Sequence, residues 1–183
     1  NDPELGQTVL RLLAAHGIEV VFPEQRCSGM PEMLYGYADS ARETAAYNVG
    51  SMLPWTKRGA AVLSAEPTAT FAFKVHYPDY LSSPDCSAVA DATHDLGEFL
   101  VRYRADHPDR SPVAGPLPGV WSEVRRVAYH QPCHLKAQGI GNPGVELLRE
   151  LPGVEVIDLA AGCCGMAGTF GMKKDTYDLS MLT

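Results

Sequence analysis

The sequence predicts an α/β fold made of two pseudo-symmetric, duplicated βα units, each presenting a cysteine-bearing turn after a strand. Three observations predict it. Short β-branched runs alternate with segments of helical periodicity along the chain. Gly17-Ile18-Glu19-Val20-Val21 recurs 136 positions later as Gly153-Val154-Glu155-Val156-Ile157. The same spacing carries Cys27-Ser28-Gly29-Met30 onto Cys163-Cys164-Gly165-Met166 without a gap, which reads as a duplicated unit.

The elements follow in order. A helix opens at Asp2-Pro3, a capping residue and a proline at the first helical position, with Leu5, Val9, Leu12 and Leu13 on one face and Gly17 at its end. Ile18 to Phe22 has the length and β-branched content of a buried strand, and it runs through Pro23 into the turn Cys27-Ser28-Gly29. Ser40 to Glu43 fits a capping box, and Ala41, Ala45, Val49 and Met52 make a helical stripe that stops near Pro54. A short strand is expected at Ala60 to Leu63. Val89, Ala92, Leu96, Phe99, Leu100 and Tyr103 then fall at helical spacing, which predicts one long helix over 89–103 with Asp91 to Asp95 on its polar face.

From Asp106 to Gly119 the chain carries Pro108, Pro112, Pro116 and Pro118, which predicts a linker or surface loop between a first unit, 1–105, and a second, 120–183. In the second unit a strand is expected near Arg125 to Tyr129, then the loop Gln131-Pro132-Cys133-His134. A helix opening at Asn142-Pro143, a strand at Val154 to Leu159 and the Cys163-Cys164-Gly165 turn complete it.

Composition narrows the function. The 183 residues are 45% hydrophobic and 20% charged, enough for a globular core. Fifteen Lys and Arg stand against 22 Asp and Glu, a net charge of −7 with no dense basic cluster, so nucleic acid is not an expected partner. No apolar stretch approaches the ~18 residues of a membrane span, and the first residues lack the pattern of a signal peptide, so a soluble cytosolic protein is expected. Cysteines at 27, 86, 133, 163 and 164 are odd in number and two are adjacent, which argues for metal or redox chemistry over a secreted disulfide framework.

Cys163 and Cys164 sit among small residues running to Gly171, so backbone and two thiolates can approach one object closely. Neighbouring cysteines bind one metal, or two adjacent irons, without the strain of a disulfide between them. Cys133, which also follows a strand, is the third candidate ligand, and His130 or His134 offers a fourth. Three cysteines and one histidine suit tetrahedral zinc. Burial as small apolar residues is the alternative for these cysteines, and a hydrogen-bonded structural role is the alternative for each histidine. Cys86 belongs to neither repeat and reads as a loop thiol, and Lys173-Lys174 as a solvated pair.

Together, His130-Gln131-Pro132-Cys133-His134, Glu146-Leu147-Leu148-Arg149 with Pro152-Gly153, and the run Cys163-Cys164-Gly165-Met166 through Lys174 carry a resemblance. The chain resembles the cysteine-rich CCG domain shared by the B subunits of heterodisulfide reductases and the iron-sulfur subunits of glycolate and lactate oxidation. Within that family it looks most like the C subunits of anaerobic glycerol-3-phosphate dehydrogenases. The likeness reaches the first half through Cys27-Ser28-Gly29-Met30-Pro31, Asn48-Val49 and Tyr77-Pro78.

The family pattern in each half is a lone cysteine, a Cys-Cys-Gly turn and a Cys-x-x-Cys, associated with iron-sulfur clusters of 4Fe-4S and, in some members, noncubane type. The resemblance therefore implies that Cys133, Cys163 and Cys164 are cluster ligands. In the first half Ser28 replaces the second cysteine of the turn and Glu66-Pro67-Thr68-Ala69 stands where Cys-x-x-Cys is expected, so no cluster is expected there. The counterpart of that Cys-x-x-Cys in the second half falls beyond Thr183, so the chain reads as a fragment that can be isolated without metal. The implied role is an electron-transfer subunit of anaerobic respiration. It takes electrons from a separate flavin-bearing dehydrogenase, one oxidising glycerol-3-phosphate or a 2-hydroxy acid, toward a membrane quinone. It would be cytoplasmic and held at the membrane through partners, with no catalytic residue of substrate oxidation in this chain. Thiol-disulfide reduction at a cluster, and a zinc-stabilised interaction module without redox activity, are the alternatives.

Overall fold

Helices make up most of the chain, and two short parallel ladders order them. The computed structural model describes residues 3–110, 123 and 125–182. The expected cap Asp2 and the expected linker from 111 onward lie outside the described residues. Within them the architecture is α/β, as the alternation of patterns predicts.

The first helix, α1 (Pro3–Ala15), buries Leu13 but leaves Leu5 and Leu10 exposed. After Gly17 the expected strand does not form. Glu19 to Phe22 take no regular element and make no backbone hydrogen bond among the described residues, because β propensity yields a strand only where a ladder is available. A short helix α2 (Met30–Leu34) follows the Cys27 turn, and α3 (Ala38–Thr56) is the spine of the molecule. Its stripe Ala41, Ala45, Val49 and Met52 is buried as expected. The helix starts ahead of the Ser40–Glu43 box, with Ala41 N–H donating to Tyr37 O at 2.9 Å, and it runs past Pro54. A proline so close to the end removes only one bond of the final turn.

Strand β1 (Val62–Ser64) lies two residues later than expected. It leads through α4 (Pro67–Phe71), a π-helical turn Ala72–His76 and α5 (Tyr77–Leu81) to α6 (Pro84–Asp91). The long helix expected over 89–103 is instead three elements: the end of α6, strand β2 (Thr93–Asp95) and α7 (Leu96–Asp106). The Asp95 carboxylate accepts from Gly97 N and Glu98 N and so caps α7, which breaks the helix that periodicity suggests. Thr93 and Asp95 are buried, not on a polar face, because β2 pairs in parallel with β1, Val62 against Thr93. Met30, Val49, Met52, Phe73, Tyr77 and Cys86 belong to the resulting core. Cys86 is 1% exposed within α6, so it is a core residue and not a loop thiol.

In the second unit β3 (Arg126–Tyr129), α8 (Cys133–Ala137), α9 (Pro143–Arg149) and β4 (Glu155–Asp158) fall close to the expected positions. Strands β3 and β4 pair in parallel, Arg126 against Glu155 through Tyr129 against Asp158. A 3₁₀ turn Phe170–Met172 and α10 (Tyr177–Ser180) complete the described chain. At two pairs of positions 136 residues apart the backbone is alike: Gly17 and Gly153 have φ of 71° and 73°, and Gly29 and Gly165 have 75° and 77°. The expected pseudo-symmetry of two βα units is not seen in strand pairing, since 19–22 lack the ladder that β4 makes.

Candidate functional site

Parallel strands send their carboxyl ends to one edge, where loops and helix starts can gather side chains. At that edge of the β3–β4 pair stand Cys133, the first residue of α8, and the Cys163-Cys164-Gly165 turn that follows β4. The two loops are tied together: His130 Nε2–H donates to Gly162 O at 3.1 Å, one residue before Cys163. Below them Asp158 accepts from Asn142 Nδ2 and Ala160 N, both at 3.1 Å, which fixes the exit from β4.

The cysteine turn is bent at both ends. Ala160 and Ala167 hold φ of 46° and 40°, left-handed conformations that cost a non-glycine residue roughly 1–2 kcal/mol. Gly165 N–H donates to Cys163 Sγ at 3.3 Å. Gly171 is closely packed, since a Cβ there would stand 3.0 Å from Gly165 O and 3.1 Å from Ser180 Oγ. Cys133, Cys163 and Cys164 are all exposed.

The structure gives these thiols the chemistry of soft-metal ligands at one sheet edge. It does not gather them into a site: among the described residues no three His, Cys, Asp or Glu side chains are placed to hold one metal ion. Among the described residues the donor set does not close. The two histidines have structural partners. His134 Nδ1 lies 3.0 Å from Thr68 Oγ1 and its ring stacks on Phe71, which seats α8 on α4.

A cavity of about 230 Å³ lies along β1 and the start of β2, lined by Ser28, Ser64, Ala65, Ala69, Phe73 and Thr93 and by no thiol. Ser28 and Ala69 stand where thiolates would be expected. Glu66 acts as a helix cap, its carboxylate accepting from Thr68 N and Ala69 N.

Two residues that the motifs mark only as matching segments prove to hold the Cys27 turn. Asn48, fully buried on α3, accepts from Arg26 N at 2.8 Å and donates to Cys27 O at 3.0 Å and to Tyr77 Oη at 2.9 Å. Tyr77 O–H in turn donates to Ser28 O at 3.0 Å. Burial pushes the Tyr77 phenol up to about 12, against the Asn48 hydrogen bond that lowers it, so the phenol keeps the proton it donates. The sequence signal was an asparagine beside an apolar helical stripe.

The turns of the two units also meet downstream. The Tyr35 hydroxyl bonds the Thr169 hydroxyl, Lys173 Nζ lies 5.1 Å over the Tyr35 ring, and Leu34 closes on Gly168. Lys173 is thus engaged by an aromatic ring and is not only a solvated charge.

The family model of the cysteine-rich CCG domain matches residues 1–73 and 127–182. Among curated proteins, the chain is 35% identical over 182 residues to the C subunit of anaerobic glycerol-3-phosphate dehydrogenase of Escherichia coli strain K12, covering 98% of this chain and 44% of that protein. It is 27% identical over 191 residues to lactate utilization protein A 2 of Bacillus cereus strain Q1, covering 98% of this chain and 72% of that protein. Lactate utilization protein A 1 of Bacillus anthracis strain CDC 684 is 26% identical over the same share. The chain thus spans under half the length of the Escherichia coli relative. No solved structure matches it. With the cysteine turns, their spacing and the family model in agreement, the chain belongs to the cysteine-rich CCG domain family.

Proposed function

We propose that this chain is part of an iron-sulfur electron-transfer subunit of a dehydrogenase complex, in which Cys133, Cys163 and Cys164 are thiolate ligands of a 4Fe-4S cluster. The observation that carries the reading is the placing of Cys133 and the Cys163-Cys164 turn at one edge of the β3–β4 pair, their loops joined by the His130–Gly162 bond. Cluster binding needs thiolates from beyond the described residues, since three donors are not gathered within them. The relatives named as the C subunit of a dehydrogenase and as lactate utilization proteins support a partner dehydrogenase, which would carry the flavin and oxidise glycerol-3-phosphate or a 2-hydroxy acid. Electrons would pass toward a membrane quinone. Among the described residues no helix is long and apolar enough to cross a membrane, so contact with the inner face would come through a partner. The duplication belongs to the same reading: two βα units of common origin, the first with donors lost at Ser28 and Glu66 to Ala69.

Iron, acid-labile sulfide and zinc measured in the complete polypeptide, purified without oxygen, test the proposal. Iron with sulfide and a reducible EPR signal is expected, and Cys163→Ser and Cys164→Ser should each remove most of the iron. Unchanged iron in both variants rejects the ligand assignment. One equivalent of zinc without visible absorption replaces the electron-transfer reading with that of a zinc-stabilised module.

A further inference from the structure

Glu19 to Phe22 are a stretch of strand-forming sequence left without a ladder. Among the described residues they make no backbone hydrogen bond, and Val20, Val21 and Phe22 are 39%, 44% and 73% exposed. Such a row of unpaired amides and carbonyls is a template for another strand. Beside it lies a cavity of about 660 Å³ walled mainly by apolar groups, among them Leu5 and Leu10 of α1, Val20, Phe22, Trp55 of α3 and Phe99 of α7. Four residues of strand in a packed sheet occupy about 13 Å by 4.8 Å by 10 Å, on the order of 600 Å³. The space beside this stretch therefore has the volume of one short strand.

The internal repeat indicates which strand. Residues 19–22 precede β4 by the 136-residue spacing, and β4 is paired in parallel with β3, whose Arg126 stands opposite Glu155 across 29 positions. The same separation before Glu19 falls about ten residues ahead of Asn1. We propose that Glu19 to Phe22 receive a parallel apolar strand from the same polypeptide, upstream of Asn1, and that this strand fills the cavity between α1 and α7. The Escherichia coli and Bacillus cereus relatives are both longer than this chain, which leaves length for such a strand. A second copy fits less well, because the same strand from two copies related by a twofold axis pairs antiparallel, whereas the equivalent ladder here is parallel.

Amide hydrogen exchange read by mass spectrometry tests this on the 183-residue chain and on the same chain preceded by the residues its gene encodes. The amides of Glu19 to Phe22 should exchange freely in the shorter polypeptide and about 100-fold more slowly in the longer one. Equal exchange in the two overturns the proposal, and so does a reading frame without upstream residues. Protection that grows with concentration in the 183-residue chain overturns it in favour of a second copy. Val21→Pro gives an independent reading, since it removes a ladder donor. Its Tm should fall in the longer polypeptide and stay near the unsubstituted value in the shorter one, and equal falls in both would reject the pairing.

Discussion

Asn48 is the residue on which the first cysteine turn depends. Its amide meets Arg26 N, Cys27 O and the Tyr77 hydroxyl at once, from a fully buried position. Asn48→Ala leaves the Arg26 donor and the Cys27 acceptor, both only part-buried, without this partner, so a loss of about 1–2 kcal/mol in urea unfolding is expected. A loss under about 1 kcal/mol would mean that the turn finds other partners. His94 acts through pH. Burial holds its imidazole below the ordinary 6.5, with Glu98 pulling the other way and Lys74 and Arg102 reinforcing the depression. A depressed imidazole contributes stability above its unfolded value, and that contribution is lost as pH falls through the lower folded value. Stability measured from neutral pH into that lower range should therefore decline less steeply in His94→Gln than in the parent, and equal slopes would count against the assignment.

Two glycines show at the scale of elements how packing decides the sign of one substitution. A Cβ on Gly144 of α9 would collide with the Tyr129 ring at the end of β3, so Gly144→Ala should lower Tm by several degrees, about 2–4 °C per kcal/mol at this chain length. Gly50, exposed inside α3, has nothing within 4 Å of a built Cβ, so Gly50→Ala should stabilise by about 0.5–1 kcal/mol. A fall in both or a rise in both would show that local contacts do not set the outcome. Periodicity made α1, α3, β3 and β4 legible in the sequence, because each has a face that packing or pairing uses. It misled at 89–103, where apolar spacing fits a helix while the Asp95 cap and the pairing of Thr93 with Val62 impose a strand. It misled again at 18–22, where a sequence suited to a strand has no neighbour in the described chain.

Across the whole molecule the two cysteine turns differ in how they are covered. Met30, after the first turn, is 3% exposed beneath α3, whereas Met166 at the equivalent position is 41% exposed, with Met172 and Met181 more exposed still. The candidate site was legible as a set of cysteine spacings. What spacing could not give was closure, because bringing Cys133 and the Cys163-Cys164 turn to one edge needs only two strands, while enclosing a metal needs a further donor from another element. The motifs marked Asn48 and Tyr77 as matching segments but could not give their role, because they hold a turn from a distance in sequence, through contacts that only folding creates.

The parallel ladders have a kinetic side. Val62 meets Thr93 and Arg126 meets Glu155, so neither sheet gains a single ladder bond until a loop of about 30 residues has closed, at roughly 3 kcal/mol of chain entropy plus a constant. Helices α3 and α7 can form locally in microseconds, well ahead of such closure. Refolding should then have a collapsed, helical early stage in which both strand pairs are still open and the cysteine turns have no shape. Any cluster or partner that recognises those turns would therefore meet them only after the slowest step of folding is over.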